Sequence, residues 1–234
     1  VTGRRQDGGV RRRARRRRIT TWPASAAATR TTGSHYQQFC GVAKTLDVIG
    51  DRWTMLMVRD LLLGPRRYGD FLDGLPGITT NLLAKRLAEL TEAGVIEAAG
   101  GGRGYRLTEA GAALEPVVME LGRWGGRFMG RPARGDAVNL AWGLLSLKRR
   151  YRGGADLVAG LTAGGRTFEL AFSPARLDVT ECEAVRPDLT LSGPVEAFRR
   201  LFGLGVPAGP RDGIEVGGDA ARLPVFLAAL GLAA

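Results

Sequence analysis

Gly77-Ile78-Thr79-Thr80-Asn81-Leu82-Leu83-Ala84-Lys85-Arg86-Leu87-Ala88-Glu89-Leu90-Thr91-Glu92-Ala93-Gly94 is the stretch that decides the fold. Thr79 reads as an N-cap, and Gly94 supplies the left-handed residue that stops a helix. Leu83, Leu87 and Leu90 fall at i, i+4 and i+7 and form one narrow apolar stripe. Opposite it lie Asn81, Lys85, Ala88 and Glu92, flanked by Thr80 and Ala84. The leading outer face is therefore small, polar and basic. A helix of about 15 residues is roughly 22 Å long, and its leading end fits a DNA major groove. Taken alone, an ordinary amphipathic surface helix is the simpler reading. The flanking segments reverse it.

Upstream, Val42, Leu46, Val48 and Ile49 give residues 40–49 one apolar side. After Gly50-Asp51 a second helix carries Trp53, Leu56, Met57, Leu61 and Leu62 to a stop at Gly64-Pro65. Tyr68 to Leu75 is a short third helix, and Pro76-Gly77 turns the chain into the quoted stretch. Two helices joined by a short glycine-containing turn, the second with a polar face, have helix-turn-helix spacing. Downstream, Val95-Ile96-Glu97 and Tyr105-Arg106-Leu107 read as strands around a loop with Gly100, Gly101, Gly102, Arg103 and Gly104. The loop joins strand to strand, not strand to helix, so it fails the context of a phosphate cradle. It reads instead as a wing whose tip, Arg103, reaches the minor groove or phosphates. Residues 109–129 read as one long helix bent at Pro116. Its Leu114, Val117, Val118, Leu121, Trp124 and Phe128 exceed what so small a domain covers, which suggests a dimer seam through this helix and the N-terminal helix. A two-fold pair of such modules reads half-sites one helical turn apart.

The formal charge of +11 misleads if read as a property of the folded part. Residues 1–35 hold ten arginines against one aspartate, whereas residues 36–130 hold eleven basic and eleven acidic residues. The Arg-rich tail cannot bury a core and is expected to be disordered; it adds sequence-independent phosphate affinity, or Val1 marks a start placed too far upstream. It lacks the apolar core of an export signal, and no run of 18 apolar residues marks a membrane span. Cys40 and Cys182 are the only cysteines and His35 the only histidine. That set excludes a four-ligand structural zinc site and gives a reducing cytoplasm as the default compartment. No nucleophile–base pair or carboxylate cluster with metal spacing appears, so neither an enzyme nor a cofactor is expected.

Cys40-Gly41-Val42-Ala43 followed by Leu46-Asp47-Val48-Ile49-Gly50-Asp51-Arg52-Trp53-Thr54 resembles the opening of HxlR-type winged-helix regulators. Arg59-Asp60-Leu61-Leu62, Tyr68-Gly69-Asp70-Phe71, Ile78-Thr79, Lys85-Arg86-Leu87, Glu92-Ala93-Gly94 and Tyr105-Arg106-Leu107-Thr108 extend the likeness over about residues 36–130. The resemblance implies a dimeric bacterial transcription factor that binds double-stranded DNA through a recognition helix at 79–93. It also implies a redox-sensing candidate at Cys40, with one departure: Cys40-Gly41 stands where Cys-Pro is expected. The DNA-facing set is Thr80, Asn81 and Lys85, with Thr79 as cap, Arg103 on the wing, and Arg66, Arg67 and Arg86 as candidate phosphate contacts. For the last three, surface charge or packing against the body competes with that role.

After a linker at 131–136, residues 137–234 change character. A helix spans Ala137 to Tyr151. Leu157-Leu161, the Gly164-Gly165 turn, Thr167-Phe172, Leu177-Val179 and Leu189-Leu191 then alternate as an antiparallel meander. Helices at Pro194–Leu204 and Leu223–Leu232 bracket a strand at Ile214-Val216. Asp188-Leu189-Thr190-Leu191-Ser192-Gly193-Pro194-Val195-Glu196-Ala197, then Ile214-Glu215-Val216-Gly217-Gly218-Asp219, resembles the closing half of a sterol-carrier-like domain. The resemblance implies an apolar cavity for a lipid-like ligand. Trp142, Phe168, Phe172, Phe198 and Phe202 are its candidate lining, although large aromatics at such spacing are ordinarily core. The expected fold class is α+β: a winged helix, mainly α with a hairpin wing, followed by an α+β domain with an antiparallel sheet. The expected function is a ligand-controlled, sequence-specific DNA-binding regulator. The alternative is a lipid-like ligand carrier whose winged helix serves protein interaction.

Overall fold

Thr79 begins the central helix as its sequence requires: its hydroxyl accepts the Leu82 amide at 3.3 Å. Ile78, just before the cap, and Leu83, four positions after the cap, share one core, a hydrophobic staple that fixes the entry angle. At the other end Gly94 sits at φ +67°, and the amides of Gly94 and Val95 return to the carbonyls of Thr91 and Leu90. That pair of bonds is a Schellman stop. The computed structural model describes residues 36–102, 104–203 and 213–232.

Four helices lead the described chain: α1 (Gly41–Ile49), α2 (Thr54–Leu61), α3 (Tyr68–Gly74) and α4 (Thr80–Glu92). β1 (Ile96–Ala98) and β2 (Tyr105–Leu107) then pair antiparallel as the wing, with Glu97 opposite Arg106. Trp53, Met57, Val58, Phe71, Ile78, Leu83, Leu87, Leu90 and Ile96 close one core beneath α4. Arg66 adds a one-residue third strand to the wing, exchanging both backbone hydrogen bonds with Tyr105 at 2.8 and 2.9 Å. Gly104 permits that approach: a Cβ there would lie 2.1 Å from the Arg66 carbonyl oxygen, at a φ of +101°.

The single bent helix expected over 109–129 is two helices, α5 (Glu109–Ala112) and α6 (Glu115–Gly125), followed by a 3-10 turn at Gly126–Phe128. Pro116 lies in the first turn of α6, where its missing N–H costs nothing. It therefore starts a helix and does not bend one.

The second core lies between one face of a five-stranded sheet and helices α7 (Leu140–Arg150), α8 (Val195–Phe202) and α9 (Leu223–Ala229). The strands are β3 (Leu157–Ala163), β4 (Arg166–Phe172), β5 (Leu177–Thr180), β6 (Leu189–Gly193) and β7 (Glu215–Gly218), in the order β5-β4-β3-β6-β7. The expected all-antiparallel meander is corrected: β6 does not continue beyond β5. It crosses to the far side and pairs parallel with β3, Ala159 opposite Leu189. The reason is the connection. Residues 181–188 contain no tight turn and lie across the open face of the sheet, where a Cβ on Gly160 would meet the Ala184 methyl at 3.3 Å. The expected helix end at Leu204 and the tail 1–35 lie outside the described residues; α8 is capped by Gly203 in the left-handed region. No helix among the described residues is long and apolar enough to cross a membrane.

The two cores are tied together at the α2–α3 loop. Leu63 is fully buried in the second core, and its carbonyl accepts the Glu181 amide at 2.6 Å. Replacing Gly104 with alanine forces the wing off Arg66 and is expected to destabilise the chain by about 2–4 kcal/mol, seen as a lower denaturation midpoint with a wild-type m value.

Candidate nucleic-acid interface and the junction behind it

The helix-turn-helix presents its leading face to solvent. Thr79, Thr80, Asn81 and Lys85 are all exposed, and neither the second core nor the wing covers them. α3 holds α4 in place through the Tyr68 hydroxyl, which donates to the Thr80 carbonyl at 2.7 Å. Arg67 is exposed at the head of α3, its amide bound to Asp70 Oδ2 at 2.6 Å. Thus Thr80, Asn81 and Lys85, with Arg67 alongside, remain available on one side of the molecule. Arg103 lies outside the described residues.

Two of the expected phosphate contacts are spent inside the protein. Arg86 pairs with Asp51 at 2.7 Å and with Glu89 at 2.6 Å, and its Nε is buried without a hydrogen-bond partner. It braces α4 against the start of α2. Arg66 reaches the opposite way: its guanidinium lies 2.7 Å from Glu181 in the second half. Both are structural ion pairs, because each guanidinium is largely shielded and already faces a carboxylate.

Glu181 is the centre of a small network. Arg166 donates to both of its oxygens, at 2.6 and 2.7 Å, while also reaching Asn139 Oδ1 at 3.0 Å. Burial alone would raise the Glu181 carboxyl, but hydrogen bonds and charge from Arg166 and Arg66 outweigh it and hold the group below its ordinary value. Glu181 in turn holds Arg166 above its ordinary value, mainly through the hydrogen bond between them. A second tie lies beside it. Trp142 Nε1 donates to Asp60 Oδ1 at 2.8 Å, Arg59 chelates the same carboxylate, and the Arg59 guanidinium stacks 4.0 Å over the Trp142 ring. Lys148 pairs with Glu115 as a third link between the halves.

Trp142 is thus a junction residue. Among the other expected lining residues, Phe172, Phe198 and Phe202 are core: Phe198 stacks on Phe202, and Phe172 meets Tyr151 and Phe226 edge-on. None of these three lines the clefts described here. Trp142 and Phe168 do border an open cleft of about 330 Å³ between α3 and the start of α7. Sequence reasoning missed Asp60, Asp73, Asn139, Arg166 and Glu181, which meet at this junction. Only the Arg59-Asp60 pair lay within a quoted motif.

The expected dimer surface is exposed. Val117, Leu121 and Trp124 on α6, then Phe128 and Met129, form a continuous apolar strip; Trp124 and Phe128 touch edge-on at 4.7 Å. Phe39, Val42 and Leu46 add a second exposed apolar face at α1. Cys40 precedes α1 and is exposed. The amides of Ala43 and Val42 point toward its sulfur and lower the thiol below its ordinary value, although neither is aligned closely enough to form a cap hydrogen bond. Burial, then the Glu169 carboxylate, push Cys182 the other way.

A model of the family described as HxlR-like helix-turn-helix matches residues 48–132. An uncharacterized HTH-type transcriptional regulator of Mycobacterium bovis is 35% identical over 104 residues, covering 42% of this chain and 65% of the relative. This chain therefore spans about two thirds of that protein's length. YdeP of Bacillus subtilis, likewise an uncharacterized HTH-type transcriptional regulator, is 34% identical over 107 residues, covering 44% of this chain and 84% of YdeP. Among solved structures, quinone-bound YodB of Bacillus subtilis is 32% identical, covers 38% of this chain and 99% of its own, and superposes with a TM-score of 0.35.

Substituting Glu181→Gln leaves Arg66 and Arg166 facing a neutral amide and is expected to cost about 1–2 kcal/mol at neutral pH. Because the folded carboxyl is held low, that stability is complete above the unfolded glutamate range, at about pH 5, and is lost as pH falls through the folded value. Unfolding titrations should therefore show wild type and variant converging in acid. For the thiols, iodoacetamide is expected to modify Cys40 faster than Cys182 at pH 7, read by peptide mass; equal rates would contradict the electrostatics described.

Proposed function

Because the chain belongs to the HxlR-like helix-turn-helix family, we propose that it is a dimeric, sequence-specific DNA-binding transcriptional regulator whose C-terminal half carries the control. The observation that carries this reading is the open leading face of α4. Thr80, Asn81 and Lys85 stand exposed on a helix capped at both ends and braced from behind by Arg86. Asn81 suits an adenine edge, Lys85 a guanine edge or phosphate, and Thr80 a phosphate or a thymine methyl. Arg67 flanks them at the backbone. Since residues 36–130 carry equal numbers of acidic and basic residues, specificity rests on where these few cations stand and not on bulk charge.

The apolar strip on α6 and the exposed face of α1 supply the dimer contact. A strip of this kind on a folded protein marks an association surface, and two-fold pairing sets two recognition helices about 34–36 Å apart. Cys40, exposed at the head of α1 on that same face, is the oxidant-sensing residue: its oxidation changes the polarity of the seam. The C-terminal sheet with helices on one face supports a sterol-carrier-like layout. Phe172, Phe198 and Phe202 are buried core residues, and the half acts as a regulatory body with a small ligand accommodated elsewhere.

Two measurements test the reading. Protein lacking residues 1–35, and hence nine net positive charges, is expected to enrich a two-half-site sequence from a random DNA pool. Lys85→Ala should weaken that binding and reduce its log–log salt slope by about one unit; unchanged affinity and slope would remove Lys85 from the interface. Trp124→Asp places a charge in the proposed seam. It is expected to convert a dimer to a monomer in sedimentation at micromolar protein while the folded circular-dichroism spectrum is retained.

A further inference from the structure

The junction between the halves contains two adjoining clefts, about 330 and 360 Å³ in volume, and both are bordered by Asp73, Asn139, Trp142 and Arg166. At about 30 Å³ per water, either one has room for roughly ten waters, the size of a one-ring or two-ring organic molecule. The first cleft has an apolar wall that includes Val138, Leu140 and Val195. The second is polar and carries four carboxylates, Asp60, Asp70, Asp73 and Glu181, against the two guanidiniums of Arg66 and Arg166.

The state of each charge decides what this space accepts. Both guanidiniums are already bound to Glu181. Asp60 is held by Arg59 and Trp142, and Asp70 by the Arg67 amide. Asp73 is exposed, borders both clefts, and makes no hydrogen bond or ion pair with any described residue. An incoming anion would meet committed arginines and open carboxylates. An incoming cation meets a carboxylate with both oxygens open, beside an apolar wall.

We propose that this junction is the effector site of the protein, and that it takes a small organic cation: a protonated amine bound by Asp73, with its apolar body against Val138, Leu140 and the edge of Trp142. The proposal rests on the reading of the chain as a ligand-controlled DNA-binding regulator. It also explains how occupancy reaches DNA. The walls of the site include Arg66, whose backbone forms the third strand of the wing, and Asp73 and Gly74, which end the helix before α4. A ligand bridging Asp73 to the start of α7 fixes the helix-turn-helix relative to the C-terminal half. By linkage, it changes DNA affinity by the same factor as DNA changes its own.

The test uses the full chain and three probes of one shape, 2-phenylethylammonium, 2-phenylethanol and phenylacetate, titrated by calorimetry. The expected result is one saturable site per chain for the ammonium with a Kd below about 1 mM, and weaker binding of the alcohol and the acid. Asp73→Asn should weaken the ammonium about tenfold or more and leave the alcohol unchanged. No saturation by the ammonium, equal binding of all three probes, or an Asp73→Asn protein with wild-type affinity would overturn the site. In parallel, the ammonium should shift affinity for the selected DNA by about threefold or more in wild type and not in Asp73→Asn. A bound cation with no such shift overturns the effector role. Failure of the chain to select any DNA sequence would instead overturn the proposed function, with the cation site judged by calorimetry alone.

Discussion

Two residues between α2 and α3 hold the molecule together. Leu63 sends its side chain into the C-terminal core and its carbonyl to the Glu181 amide, while Arg66 pairs its backbone with the wing and its guanidinium with Glu181. The loop is short and both ends are fixed by helices, so it cannot satisfy one partner while drifting from the other. The position of the wing relative to the C-terminal sheet is therefore set within one hydrogen-bonded unit. Arg166 and Asn139 extend that unit to the start of α7, and Trp142 extends it to Asp60. Partly shielded charge-assisted bonds of this kind are worth more than the surface pairs Arg123–Glu120 or Arg106–Glu97, which water screens.

The elements governed by local rules were legible in the sequence. Thr79 and Gly94 bounded the central helix because caps depend only on neighbouring backbone groups. The wing was legible because its glycines separate two runs of alternating residues. The partners of long side chains were not legible. Arg66 and Arg86 look alike as surface cations until the fold brings Glu181 to one and Asp51 to the other. Trp142 read as an interior aromatic, yet its indole finds Asp60, 82 residues earlier. Strand order failed for a related reason: a period of two identifies β6 but says nothing of which edge it joins. Pro116 was weighed as a kink because an unbroken apolar stripe hid the helix start beside it.

The ion pairs also shape the electrostatics of the proposed recognition face. With Arg66 and Arg86 withdrawn, the cations left near α4 among the described residues are few and each stands apart. Lys85 follows Asn81 by one helical turn, and Arg67 lies at the neighbouring helix head. A sparse arrangement weakens attachment to DNA of arbitrary sequence, since that term grows with every phosphate neutralised. On the proposed function, it leaves a larger share of the binding to base-edge geometry. Held rigidly by Arg86 on one side and the Tyr68 hydroxyl on another, the helix loses little freedom on docking.

Burial of Leu63 in the far core bears on how the chain can be divided. The segment 131–136 looks like a natural place to cut, yet a fragment ending there would carry Leu62, Leu63 and Met119 stripped of the surface that covers them. Re-exposing a single leucine costs about 1.5–3 kcal/mol, a large part of the margin by which a small domain stays folded. The N-terminal fragment would thus be sticky and poorly stable, and the C-terminal fragment would have a hole where Leu63 had been. The two halves are separate in sequence but not as autonomous folding pieces.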